Sequence, residues 1–218
     1  MENSTIQRPA LVLMTRWPLP GQCKTRLAEK IGSQCASRIQ TRLIDHTIAV
    51  AKTIEKKGLA EIKIALCGAS SKEAKELAFS KGLKEVFQQG EGDLGIRMRR
   101  QVLLAQKTQQ KNIFGRTTIL IGSDLPSLCQ LDLIKAIKEL ERHEIVLGPS
   151  FDGGYWLIGL AGKLASSLPD WPFYGIPWGT NQVLEQTLLR AKQAGISHGL
   201  LSKHNDIDRL EDLSPWQG

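Results

Sequence analysis

Seven strand-sized runs punctuate the chain: ALVLM (10–14), IKIALCG (62–68), VFQQ (86–89), TTILIG (117–122), EIVLGP (144–149), GYWLIGLA (154–161) and GLLS (199–202). Segments of helical periodicity separate most of them. Such alternation constrains the fold to an α/β class, with a mainly parallel sheet between two layers of helices. EIVLGP and GYWLIGLA follow each other with no helix between, so one strand is expected to run antiparallel and the sheet to be mixed.

The spacing predicts a long helix from Ser33, as its cap, to about Lys57, with Gly58 as its stop. Ile39, Leu43, Thr47, Val50 and Ile54 would form its inward stripe. Further helices are expected from about Ser71 to Lys81, from near Gly95 through IRMRRQVLLAQK, from about Leu128 to Arg142 with Ser127 as cap, and from about Asn181 to Ala194. With 218 residues and no low-complexity stretch, linker or repeat, residues 1–218 are expected to form one domain. SSLPDWPFYGIPWG (166–179) is the longest irregular stretch, and its four aromatics suit a lid or a binding-site wall.

The formal charge of +7 suggests an anionic partner. Nucleic acid is not expected, because Lys and Arg are spread over helices such as KTIEKK and KAIKELERH rather than gathered into a stripe. Solvated helix faces and a basic pocket for a phosphorylated small molecule both fit. No run is long enough to span a bilayer, and MENSTIQRP lacks the order of a secretory signal, so a cytoplasmic protein is expected. Cys23, Cys35, Cys67 and Cys129 are too scattered for a disulfide framework or a C-x-x-C site. The four histidines have no ligand-like spacing.

In an open α/β sheet, ligands lie outside the carboxyl ends of the parallel strands. TRWPLPGQCKTRL follows the first strand, SDLPSL follows TILIG, SFDGGY follows EIVLGP, and KHNDIDRLEDL follows GLLS. Each delivers glycine, base or carboxylate to the same edge. In the first loop, Gly21 permits close backbone approach while Lys24 and Arg26 offer a point charge and a fork to phosphate. Read alone it is equally a basic turn, and with Cys23 before the lysine it is not a Walker A loop.

Asp124 could hold Mg²⁺ or Mn²⁺, or Ser123 and Asp124 could cap a turn. Asp206 and Asp208 offer a second hard ligand, or acidic residues at a helix start. Asp152, before Gly153 and Gly154, could bind a sugar hydroxyl or act as a base; a hairpin turn is the plain alternative. In GEGDLGIRM (90–98), a nucleobase or ribose could lie against the backbone around Gly92 and Asp93.

The ordered set PxPGxxKTRL, GDLGxRM, GSDxP, VLGPxxDGGYxLIGL and a late D-x-D-x-x-ED-L, spanning about residues 10–213, resembles a bacterial family of glycosyltransferase-A-like proteins. Its members are labelled selenium- or arsenosugar-associated glycosyltransferases, or a domain of unknown function. The resemblance implies the nucleotide-diphospho-sugar transferase fold: a three-layer sandwich around a mixed, mainly parallel sheet. It implies a metal-dependent glycosyl transfer from a nucleotide sugar to a small acceptor, with Mg²⁺ or Mn²⁺ as cofactor. Arg16, Gly21, Lys24, Arg26, Gly92 and Asp93 would bind the nucleotide, and Asp124 and Asp208 the metal. Asp152, Gly153, Gly154 and Trp178 would face the acceptor, with Asp152, Lys24 and Arg26 as catalytic groups. A homodimer is compatible with it.

Three departures stand out. Arg16 replaces a lysine, Arg209 and Leu210 replace a Thr-Pro, and GSDLP has one aspartate in place of D-x-D. Two other readings follow from the same residues. One is nucleotidyl transfer from an NTP to a phosphorylated acceptor; the other is a non-catalytic nucleotide-binding module.

Overall fold

A computed structural model describes residues 7–107 and 115–216. In chain order the elements are β1 (Ala10–Arg16), α1 (Thr25–Ile31), α2 (Ser33–Lys56), β2 (Glu61–Cys67), α3 (Ser71–Ser80), β3 (Glu85–Gln88) and α4 (Leu94–Lys107). They continue as β4 (Thr118–Gly122), α5 (Gln130–Glu139), β5 (Ile145–Pro149), β6 (Tyr155–Leu160), α6 (Gly162–Ser167), α7 (Val183–Gln193) and β7 (His198–Leu200), and a 3₁₀ turn covers Leu210–Trp216.

The strands form one sheet in the order β3-β2-β1-β4-β6-β5-β7. β6 pairs antiparallel with both β4 and β5, whereas every other pairing is parallel. The expected mixed sheet is therefore present, with the antiparallel strand inserted between β4 and β5. β5 can reach β6 through the tight turn 150–154 because an antiparallel neighbour needs no crossover.

Side chains along a strand alternate between faces, and the core divides accordingly. Leu11, Leu13, Ile62, Ile64, Ile119 and Ile121 pack with α2, α3 and α5 residues such as Ile44, Ile48, Ala74 and Leu133. Val12, Ala65, Leu120 and Ile158 face the other way, onto Met98 and Val102 of α4, Leu164 of α6 and Ala191 of α7. Each large aliphatic side chain buried this way contributes about 1.5–3 kcal/mol against exposure. The result is a three-layer α/β sandwich. Among the described residues, no helix is long and apolar enough to cross a membrane.

Several local expectations shift. Ser33 is the first residue of α2 rather than its cap; Gly32, at φ 84°, ends α1 and starts α2. The loop reading of KTRL gives way to the seven-residue α1, too short for its periodicity to register. In α2 the stripe centres on Gln40, Leu43, Ile44, Thr47, Ile48, Ala51 and Ile54, with Ile39 and Val50 only half-buried at its margin. Ser127 does not cap α5. The Cys129 N–H donates to Asp132 Oδ2 at 2.9 Å, while Ser127 Oγ lies 3.0 Å from His204 Nδ1. α3 is capped by Ser70 with Glu73, whose side chain accepts from the Ser70 N–H at 2.7 Å.

Candidate functional site

The sheet reverses its winding at β1: β2 lies on one side and β4 on the other. Strand ends diverge there and leave a crevice. Its floor is a buried polar cluster. Thr15 Oγ1 and Ser123 Oγ are 2.7 Å apart, and Gln40 Nε2, reaching across from α2, donates to both at 3.1 Å. Above it opens a cavity of about 400 Å³ lined by Arg16, Lys24, Arg26, Gln89, Arg97, Asp124 and Asp208, among others.

The loop after β1 is shaped by its backbone. Gly21 turns at φ 79°, and Arg16 Nη1 donates to Gln22 O at 3.0 Å, closing the turn. Lys24 then adopts a left-handed conformation, φ 48° and ψ 46°, and opens α1. A non-glycine residue there costs about 1–2 kcal/mol, so surrounding contacts must hold it. They do: the Lys24 side chain is 4% exposed, its Nζ is 2.7 Å from Asp124 Oδ1, and it also donates to Ile207 O. Since the Ile207 N–H donates to Asp124 O at 2.9 Å, one lysine ties the β4 loop to the segment after β7. Arg26 pairs with Asp208 at 2.6 Å, on the surface, where such a pair adds little stability. Cys23 is buried beside this loop, and burial pushes its thiol above the usual range, which suits packing rather than nucleophilic chemistry.

Two further cavities adjoin. One of about 220 Å³ is lined by Asp124, Ser150, Asp152, Gly154, Tyr155, Trp178, Thr180 and Asp206. The other, about 450 Å³, is lined by Arg26, Phe151, Asp152, Asn181, Asn205, Asp206, Asp208 and Arg209. Asp124 borders the first two cavities, Asp208 the first and third, and Asp152 and Asp206 the second and third. Four carboxylates from three strand ends therefore meet where the cavities join.

Asp152 is held by the hairpin that carries it. Its Oδ1 accepts from the Gly154 N–H at 2.9 Å, and Gly153 at φ 89° passes so close to Asn181 that a Cβ would come within 2.2 Å of its carbonyl oxygen. Asp206 has its carboxyl pushed up to about 6, chiefly by burial and then by the negative charge of Asp152, with Asp124 adding to it. His204 anchors the loop bearing Asp206. Its ring lies between Ser127 Oγ at 3.0 Å and Asp132 Oδ1 at 3.1 Å, and its backbone N–H donates to Pro149 O at 3.1 Å.

Arg16, Lys24, Arg26, Asp124 and Asp208 thus line one cavity, and Asp152, Gly154 and Trp178 another. Gly21, Gly92, Asp93 and Gly153 line neither; they set backbone. Asp93 Oδ1 accepts from the Ile96 N–H at 2.8 Å and so caps α4. Gly95 lets α4 pass under the 166–179 segment, since a Cβ there would lie 1.9 Å from Phe173 O. Sequence reasoning missed Thr15, Gln40, Gln89 and Arg97, whose roles depend on which strands become neighbours.

The donor set suits a hard divalent cation, because carboxylate oxygens are its preferred protein ligands and their mutual repulsion would be relieved. Among the described residues no group of three or more His, Cys, Asp or Glu side chains is arranged to hold a metal unaided. Phosphate oxygens and water would have to complete the shell, as is usual for Mg²⁺.

The model of a family described as "Uncharacterized protein conserved in bacteria" (DUF2064) matches residues 49–180, and the chain belongs to that family. No curated protein matches it. Among solved structures it is similar to a proposed nucleotide-diphospho-sugar transferase from Desulfovibrio desulfuricans G20, with a TM-score of 0.81 and 25% identity over 95% of this chain and 85% of that one. It also resembles the inositol-1-phosphate CTP transferase of T. maritima, with a TM-score of 0.56 and 14% identity over 95% and 92% of the two chains. The 4-diphosphocytidyl-2C-methyl-D-erythritol synthase of Anaerococcus prevotii DSM 20548 gives a TM-score of 0.56 and 8% identity over 94% and 95%. The fold is that of the nucleotide-diphospho-sugar transferases.

Proposed function

We propose that this member of the DUF2064 family is a metal-dependent transferase that binds a nucleoside diphosphate sugar and passes its glycosyl group to a small acceptor. The observation that carries the reading is the meeting of a basic cavity and a second, aromatic-walled cavity at Asp124, with Asp152 and Asp206 between the second and a third. Arg16, Lys24 and Arg26 would hold the diphosphate by charge-assisted hydrogen bonds. Asp124 with Asp208 or Asp206 would hold Mg²⁺ or Mn²⁺, which when bound neutralises charge on the departing diphosphate.

Asp152 has a fixed orientation and would accept a proton from the acceptor hydroxyl, which makes that oxygen a better nucleophile. Lys24, preset in its buried position, would stabilise negative charge developing on the leaving phosphate without reorganising. Trp178, set edge-on to Tyr155 with ring centroids 6.2 Å apart, would wall the sugar and exclude water.

A second reading has a specific observation behind it: three cationic side chains from the β1–α1 segment, Arg16, Lys24 and Arg26, line the first cavity. That much positive charge would also suit a triphosphate, and hence nucleotidyl transfer. Incubation with nucleotide sugars and with NTPs, each with Mg²⁺ or Mn²⁺ and a panel of acceptors, separates them. Release of nucleoside diphosphate supports glycosyl transfer, and release of pyrophosphate supports the second reading. Stabilisation by neither ligand class in a thermal-shift screen defeats both.

A further inference from the structure

Arg97 stands at the end of the first cavity remote from Asp124. Arg97 meets Cys67 at the end of β2, and β2 is separated from β4 by β1, which makes two strand spacings, about 10 Å. Gln89 follows β3 and Asp124 follows β4, so the cavity runs from a Gln89–Arg97 end, past Thr15 and Arg16, to a Lys24–Asp124 end. Carboxylates and the buried lysine occupy the second end, which leaves the first for whatever the phosphates are attached to.

That first end is built to hold one guanidinium still. Gln89 is 4% exposed and its amide is fully used: Nε2 donates to Thr15 O and to Ala65 O, both at 3.0 Å, and Oε1 accepts from Arg97 Nη1 at 3.3 Å. Arg97 Nη1 also approaches Cys67 Sγ at 3.7 Å, and Nε donates to Asp93 O at 3.4 Å. Two edges of the fork are therefore committed, and among the described residues Nη2 has no protein partner. A buried glutamine spent on orienting an arginine that lines a cavity is a device for presenting donors in a fixed direction.

We propose that Arg97 reads the base of the bound nucleotide and selects one that presents a carbonyl oxygen, such as uracil, guanine or the O2 edge of cytosine, over adenine. This rests on the reading that the cavity holds a nucleotide. A guanidinium only donates. Guanine offers O6 and N7 as adjacent acceptors, and uracil offers its two carbonyls. Adenine sets the N6 amino donor beside N7, so a fixed donor meets another donor and one group is left unpaired. Such mismatches carry strong discrimination, because a site built to hydrogen-bond rejects a ligand that leaves its polar group unsatisfied.

The test is equilibrium binding of UDP, GDP, CDP, ADP and inorganic pyrophosphate, each with Mg²⁺ or Mn²⁺, to the full chain and to Arg97→Gln and Arg97→Lys. The native protein is expected to bind at least one of UDP, GDP or CDP tenfold or more tightly than ADP. Arg97→Gln should weaken that nucleotide by tenfold or more while changing ADP and pyrophosphate by less than threefold. Arg97→Lys should keep pyrophosphate affinity yet lose the selectivity, and it decides the matter if the glutamine variant does not fold. Equal weakening of all nucleotides and pyrophosphate would make Arg97 a phosphate contact and overturn the proposal. So would native binding of ADP as tight as that of the best oxo-base nucleotide. If the native chain binds none of the nucleoside diphosphates, the nucleotide reading itself fails and base selection falls with it.

Discussion

Lys24 Nζ lies 2.7 Å from Asp124 Oδ1, and the lysine that makes this contact is itself held in the left-handed region at φ 48° and ψ 46°. Backbone strain and the proposed contact with phosphate sit in the same residue. The backbone turn aims the side chain inward, and the ammonium joins the β4 loop to the segment after β7 through Asp124 and Ile207.

Substitution at Lys24 should separate those two effects. Lys24→Ala and Lys24→Gly both remove the ammonium, and both are expected to lower kcat/KM by about 10²–10³, as for loss of one preset donor to a developing anion. Their stabilities should differ, since only glycine relaxes the left-handed backbone. Urea denaturation is expected to find Lys24→Gly more stable than Lys24→Ala by about 1 kcal/mol. Equal midpoints would mean that the turn is not strained.

The crevice floor makes a prediction about coupling. Thr15 and Ser123 come from strands on either side of the switch and share a hydrogen bond of 2.7 Å, with Gln40 donating to both. Removing one hydroxyl leaves buried polar partners unsatisfied, at about 1–3 kcal/mol. Removing both leaves mainly the Gln40 amide to be satisfied. A double-mutant cycle of Thr15→Val and Ser123→Ala should therefore show the double variant losing less than the sum of the singles by at least about 0.5 kcal/mol. Strict additivity would argue that water already satisfies these groups.

Asp206 sets a pH dependence. Its folded carboxyl is pushed up to about 6 from an ordinary value of 3.8. Between those values the folded state binds more protons than the unfolded one, so this group makes stability fall as pH rises from about 4 to 6 and level off above. Asp206→Asn should flatten that part of the Tm-against-pH curve and raise Tm at pH 7. A divalent cation held by Asp206 would instead favour the ionised form. Its affinity should then fall below pH 6 in the native chain, a loss that titration calorimetry can follow. An unchanged Tm profile in Asp206→Asn would remove the residue from this role.

The sheet was legible because its strands are short, apolar and bounded by turn residues, and because each strand end carries the residues that meet at one edge. Asp124, Asp152 and Asp208 could be singled out from their place just past a strand. What linear reading could not give is neighbourhood across the sheet. Gln40 lies in mid-helix, where nothing in its local pattern sets it apart, and it gains its role only once β1 and β4 pair beside α2. Arg97 sits one turn beyond Asp93 in α4, and its orientation depends on Gln89 from the far side of β2. The caps at Ser33 and Ser127 misled because any serine before a helical stretch looks like a cap, while Gly32 and the Cys129–Asp132 pair do that work.

Gly95 poses a contest between two effects of known size. It is the second residue of α4, where alanine is favoured over glycine by at most the about 1 kcal/mol of a helix interior. Propensity alone therefore predicts that Gly95→Ala stabilises the protein. Yet an added Cβ would meet Phe173 O at 1.9 Å and Trp178 Nε1 at 2.7 Å, and a backbone oxygen cannot swing aside as a flexible side chain would. Overpacking of this kind costs about 1–3 kcal/mol or more, and here the clash is with main chain, so the upper part of the range applies. The net expectation is destabilisation of about 2 kcal/mol. Because the displaced segment carries Trp178, the fluorescence of the folded protein should shift and acceptor KM should rise more than nucleotide KM. Gly179→Ala is the control. That glycine also lies beside the second cavity, with φ 81° and nothing within 4 Å of an added Cβ, so only backbone strain of about 1 kcal/mol is expected. A Gly95→Ala protein as stable as the native one would mean that α4 and the 166–179 segment are not locked together, and Trp178 could not then serve as a fixed wall for the sugar.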